Sequence, residues 1–160
     1  MQIELLEAYS YKDEIGELFR EYTDMLVEGD PRFQVYLDLQ NYDEELEHLE
    51  HKYGRPEGRL YLLRAEGQSA GCIGLRKIDD ENCELKRLYV RPAYRGLGLS
   101  RVLMDRILSD AREIGYKTML LDTLPFLKAA LKLYRDYGFE AIERYNDSPM
   151  DTSIYLRKAL

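Results

Sequence analysis

The sequence predicts a single mixed α/β domain with a central sheet, and three observations carry that prediction. The chain has 160 residues, close to the usual domain size of about 100–150. Apolar residues make up 45% of it, enough for a packed core. Along the chain, short apolar stretches of strand character alternate with segments of helical periodicity.

Residues 3–8 form a short apolar stretch that reads as a first strand. Ser10 offers an N-cap with Asp13 three residues on, a capping-box-like start. Ile15, Leu18, Phe19, Tyr22 and Leu26 then follow at helical spacing up to Gly29-Asp30-Pro31. Residues 32–42 are rich in aromatics and fit no single pattern. A second, very acidic helix is expected from Asn41 or Asp43 to about Lys52. After a loop at 54–58, residues 60–65 and 70–77 read as a hairpin around Glu66-Gly67-Gln68. Residues 83–90 add a third strand, ended by Arg91-Pro92. The next helix places Leu99, Leu103, Ile107, Ala111 and Ile114 on one face and stops at Gly115. A strand at 118–122 precedes a helix opened by Pro125, with Phe126, Ala130, Leu133, Tyr134 and Tyr137 on one face. Residues 139–145 and 154–156 close the chain as strands.

The net charge of −7 is uneven. Residues 1–82 carry 9 Lys/Arg against 20 Asp/Glu, and residues 83–160 carry 14 against 10. A basic half suits a polyanionic small molecule and an acidic half a cationic one. Overall acidity with no basic run disfavours nucleic acid as the main partner. No apolar run approaches the roughly 18 residues of a membrane span, and the start lacks the shape of a signal peptide. Two cysteines make no disulfide framework. The chain therefore reads as cytoplasmic, without a membrane partner.

Chemistry concentrates in residues 83–100, where a strand runs into a glycine-bearing loop that opens an amphipathic helix. Glycines let backbone approach an anion closely, and free N–H groups at a helix start favour negative charge. Arg95 adds a planar positive fork. A P-loop would need Gly-Lys-Ser/Thr at its end, and none follows. A dinucleotide fingerprint would need a third glycine where Arg101 stands. What remains is a cradle of the Arg-x-x-Gly-x-small type.

This segment resembles the acetyl-CoA-binding motif of the GNAT superfamily of N-acetyltransferases, Gln/Arg-x-x-Gly-x-Gly/Ala. Arg95, Gly98 and Ser100 take its places, Ser100 being the departure. The resemblance extends over roughly residues 60–145. It includes the run Glu-Leu-Lys-Arg-Leu-Tyr-Val-Arg-Pro at 84–92, then Leu121-Asp122-Thr123, and Leu133-Tyr134 with Gly138-Phe139 downstream. It implies a GNAT-like single domain over 1–160, with a mostly antiparallel twisted sheet of about six to seven strands and helices on both faces. It also implies an acetyltransferase using acetyl-CoA as cosubstrate, no metal and an amine acceptor, with a homodimer left open.

Residue by residue, the resemblance implies that the backbone near Leu88, Tyr89 and Val90 pairs with the pantetheine arm. The Val90 N–H then stabilises the oxyanion. Arg95, Gly96, Leu97, Gly98, Leu99, Ser100 and Arg101 hold the pyrophosphate, and Leu133 joins the cofactor site. Tyr134 protonates the leaving thiolate, though helical spacing alone would make it a core tyrosine.

Strict alternation puts Glu84, Lys86, Leu88 and Val90 on one strand face, which suits Glu84 as a water-relayed base. The competing reading is an ion pair with Lys86 or a neighbouring strand. Neither face of this strand is cleanly apolar, as functional use would explain. His48 and His51 read as part of a solvated acidic face and Cys83 as a buried strand cysteine. Phe33, Tyr36, Tyr42, Tyr145 and Tyr155 are candidates for an acceptor pocket, most of them as packing. Rival functions are a non-catalytic acyl-CoA-binding module and a nucleotide-binding protein. The acidic N-terminal half hints at a cationic acceptor such as a polyamine, an aminoglycoside-like compound or a protein amine.

Overall fold

The computed structural model describes residues 1–160. Seven strands, β1 (Ile3–Glu7), β2 (Arg59–Ala65), β3 (Gln68–Lys77), β4 (Asn82–Val90), β5 (Thr118–Thr123), β6 (Glu140–Ile142) and β7 (Ile154–Ala159), form one sheet. Their order is β1-β2-β3-β4-β5-β7-β6. All neighbours are antiparallel except β4 and β5. That single parallel pair needs a crossover, and the helix α5 (Leu99–Ile114) provides it.

Helices cover both faces. On one, α5 and α6 (Lys128–Asp136) bury Leu103, Met104, Ile107 and Leu131 against Tyr61, Leu63, Ile73, Leu75 and Leu85. On the other, α1 (Lys12–Gly29) and α4 (Leu49–Tyr53) bury Ile15, Phe19, Leu49 and Tyr53 against Leu60, Leu62 and Cys72. A third cluster joins the end of α1 to α2 (Phe33–Leu39) and to Leu124 and Met150. Gly74 is required here by space, because a Cβ would lie 2.8 Å from the Tyr53 ring. Cys72 and Cys83 are free and buried, as expected for Cys83 from its place in a strand. No helix is long and apolar enough to cross a membrane.

Several local expectations need correction. Ser10 caps nothing; it lies in a 3-10 turn, and Tyr11 precedes α1 without a side-chain cap. The unclassified residues 32–42 contain α2. The single acidic helix is two pieces, α3 (Tyr42–Glu47) and α4, broken at His48, which leaves helical geometry at φ −129°. Asp43 and Glu47, and Glu47 and Glu50, would be like charges on adjacent turns of one helix, which weakens its continuity. Pro125 and Phe126 precede α6 rather than belonging to it, and Phe126 is exposed.

Candidate active site

The site starts from a register fault in β4. Cys72 pairs with Tyr89 and Gly74 with Lys86, so two steps on β3 face three on β4. The extra residue is a bulge, with Arg87 in the left-handed region at φ 59°. Side-chain parity therefore flips between Leu85 and Leu88. Cys83 and Leu85 face the α5 side before the bulge, and Leu88 and Val90 face it afterwards.

This corrects the expected common face of Glu84 and Val90. Glu84 lies opposite Arg76 on the face covered by α1–α4. Its Oε1 accepts from Arg76 Nε at 2.7 Å and its Oε2 from the Tyr145 hydroxyl at 2.6 Å. Burial works to raise the Glu84 pKa, but Lys86 and Arg76 hold the carboxyl below its usual range. The ion-pair reading describes its surroundings.

The second feature is a slot between β4 and β5. The two strands pair only from Asn82–Thr118 to Glu84–Leu120, and beyond that point β4 runs on without β5 beside it. The backbone edge of residues 85–90 is thus open. Arg91 N–H bonds to Ala70 O at 2.8 Å, so the adjacent Val90–Gly71 pair is the non-hydrogen-bonded kind. The Val90 N–H accordingly points away from β3, toward the slot.

The slot continues into a groove of about 600 Å³. Leu88, Tyr89, Val90, Arg95, Gly96, Gly98, Leu99, Ser100, Arg101 and Leu133, the candidate cofactor residues, all line it. Leu97 does not; its side chain is 52% exposed outside the groove. Gly98 precedes α5 at φ 79° with no side-chain cap, so the first N–H groups of the helix face open space. A Cβ at Gly96 or Gly98 would meet nothing within 4 Å, so their positive φ and the open approach require glycine, not crowding. Arg95 donates its Nε to Val90 O at 3.0 Å and lies over the Tyr89 ring, which fixes the loop against the strand. Its two terminal nitrogens have no partner in the protein.

Two groove lysines escaped the sequence reading, Lys128 and Lys132 at the start and middle of α6. Nothing local marks them. Only the packing of α6 beside α5 brings them to the groove.

Tyr134 stands where the groove meets a second, smaller cavity, and it lines both. It is 5% exposed, so the core reading also holds. Its hydroxyl nevertheless makes no hydrogen bond within the protein. Burial, with Tyr22 and Asp122 adding to it, pushes its pKa well above the usual tyrosine range. The small cavity, about 40 Å³, is lined by Phe33, Tyr36, Gln40, Lys86, Arg87 and Asp122, among others. Of the candidate pocket aromatics, only Phe33 and Tyr36 belong to this lining. Tyr42 bonds with Thr23, Tyr145 with Glu84 and Tyr155 with Asn146. His48 and His51 stack at the surface with Glu50 nearby and line neither of these two cavities.

Comparisons with known proteins agree with this geometry. A family model described as the acetyltransferase (GNAT) family matches residues 15–139. An uncharacterized N-acetyltransferase of Schizosaccharomyces pombe is 39% identical over 127 residues, 78% of each chain. Among solved structures, a GNAT-family acetyltransferase from Staphylococcus aureus Mu50 superposes with a TM-score of 0.79 at 24% identity, over 99% of both chains. An N-acetyltransferase from Thermoplasma acidophilum in complex with coenzyme A gives 0.77 at 16% identity, over 100% of both. The fold is theirs, and with the family match over most of its length this chain belongs to the GNAT family and is an acetyltransferase.

Proposed function

We propose that the enzyme moves the acetyl group of acetyl-CoA to a primary amine by direct attack within a ternary complex. One observation carries this reading. An open strand edge runs from uncapped helix N–H groups to an unpartnered tyrosine hydroxyl, at the mouth of a small polar cavity.

The chain's residues then divide the work. The N–H groups of Leu99, Ser100 and Arg101 hold pyrophosphate, since helix starts favour anions, and Lys128, Lys132 and Arg95 add positive charge. The edge of β4 takes the pantetheine arm as a further strand would be taken. The Val90 N–H donates to the thioester oxygen as negative charge develops there. The amine nitrogen bonds to the carbonyl carbon while the carbon–sulfur bond breaks. The amine gives up a proton to solvent water, and Tyr134, protonated through the neutral range, supplies one to the departing sulfur and takes a proton back from solvent. In this reading Glu84 is a positioning residue that anchors Arg76 and Tyr145 rather than the base itself. No metal is required. A cytoplasmic location belongs to the same reading.

Thermal shift tests the cofactor. A ligand at 100 times its Kd stabilises by about 2.7 kcal/mol, or roughly 5–10 °C for a chain of this size. Acetyl-CoA should give such a shift, and ATP and NAD should not. A shift with NAD alone would overturn the reading.

A further inference from the structure

The cavity beyond Tyr134 holds charges that acetyl transfer by itself does not use. Its wall includes the bulge of β4, where Lys86 and Arg87 are adjacent. Their side chains are only 8% and 4% exposed. A buried cation is costly unless a counter-charge is supplied.

Glu45 supplies it for Arg87, whose Nε and Nη2 reach its two oxygens at 2.8 and 2.9 Å. Lys52 shares the same carboxylate at 2.7 Å. Glu84 is already engaged by Arg76 and Tyr145. Lys86 Nζ is left 3.8 Å from Glu84 and donates to Gln40 Oε1 at 3.2 Å. Lys52, Arg76, Lys86 and Arg87 therefore share two carboxylates. Arg87 Nη1 has no partner in the protein. Asp122, which also lines the cavity, sits near the end of β5. Its Oδ2 accepts from Tyr36 and Asn146, and its Oδ1 accepts from nothing. The cavity wall thus offers one guanidinium nitrogen and one carboxylate oxygen without partners, and an ammonium held mainly by an amide oxygen, with Tyr134 beside them.

We propose that the amine acceptor also carries a carboxylate, which Lys86 Nζ and Arg87 Nη1 bind while the amine turns toward Asp122 and Tyr134. This rests on the acetyl-transfer reading of the cavity and narrows the acceptor to amino acids and similar amino-carboxylates. A polyamine would bring cations against the Lys86 ammonium and the free Arg87 nitrogen and offer neither of them an anion, so the hint from the acidic N-terminal half is set aside. Many of those acidic residues are spread over the surface, and the buried Glu45 is already paired. Burial pushes the Lys86 ammonium down to about 8, with Glu84 opposing it, as expected of a cation lacking a full partner.

The test is a thermal-shift and acetylation panel on the whole chain, with coenzyme A present in the binding arm so that no turnover occurs. Glycine, β-alanine, aspartate and glutamate are each compared with their carboxamides, beside spermidine and an aminoglycoside. At least one free amino acid should stabilise the protein and be acetylated, with its carboxamide about 10- to 100-fold weaker, the worth of one charge-assisted hydrogen bond. Lys86→Met should abolish that preference and Lys86→Arg should retain it, both keeping the shift with acetyl-CoA. Carboxamides or spermidine binding as well as amino acids would overturn the proposal, as would a preference that survives Lys86→Met. Amino-acid stabilisation without any acetyl-CoA shift would instead overturn the acetyl-transfer reading and leave the carboxylate site standing.

Discussion

Glu84 and Val90 lie on the same strand yet point to opposite faces of the sheet, because Arg87 at φ 59° inserts one residue between them. The bulge sends the Glu84 carboxylate into an ion-pair cluster beneath α1–α4, while the Val90 side chain joins the core under α5. The same distortion lies where β4 parts from β5 and leaves its edge open.

Glu84→Gln should therefore act on stability first. Removing one partner of a buried pair typically costs about 3–5 kcal/mol, and Arg76 and Lys86 would both lose their anion. Urea unfolding should show a loss of that order, with the acidic limb of the rate–pH profile unmoved. A stable variant with a displaced limb would restore Glu84 as the base.

Tyr134→Phe removes a hydroxyl that no protein group shares. Turnover should fall by about 10²-fold or more, the usual range for a positioned acid, with the acetyl-CoA thermal shift unchanged. Full activity would remove Tyr134 from the chemistry.

Gly98→Val tests the cradle. A β-branched residue at φ 79° is strained by about 1–2 kcal/mol, and its side chain projects into open space that the pyrophosphate needs. The apo protein should lose a few degrees in Tm and the acetyl-CoA shift should vanish. Retention of the shift would relocate the anion site.

Replacing both Lys128 and Lys132 by Ala should weaken acetyl-CoA by roughly 3- to 10-fold at low salt, since exposed charges contribute little each and are screened. Titration calorimetry at two ionic strengths reads this. A salt-independent deficit would point to lost packing instead.

Lys86 makes stability depend on pH. Its folded value is pushed down to about 8, first by burial, with Arg87 and Lys52 adding and Glu84 and Asp122 opposing. An unfolded lysine titrates near 10.4. Between these values the unfolded state binds more protons, so stability rises with pH across that window. Measured against Lys86→Met, the wild type should gain in Tm between pH 7 and 9.5. A constant difference would show that Lys86 titrates like a free lysine.

Much of this was legible in the residues alone. Gly98 before an apolar-striped helix marked the proposed anion cradle, because helix ends and positive φ are local properties that a few residues express. Leu133-Tyr134 with Gly138-Phe139 tied the last helix to the same site through the family resemblance. The order of the strands and of α1, α5 and α6 followed from periodicity, which is likewise local, whereas α2 and the break between α3 and α4 did not. What tertiary structure alone decided was which charges meet. The bulge at Arg87 reversed the facing of Glu84, and α3 delivered Glu45 from forty residues upstream to a buried cation. Asp122 and Lys86, on strands that have parted, came to line one cavity. Strand alternation predicts facing only while the register holds, and the net charge of a chain half says nothing about which side chains the fold buries together.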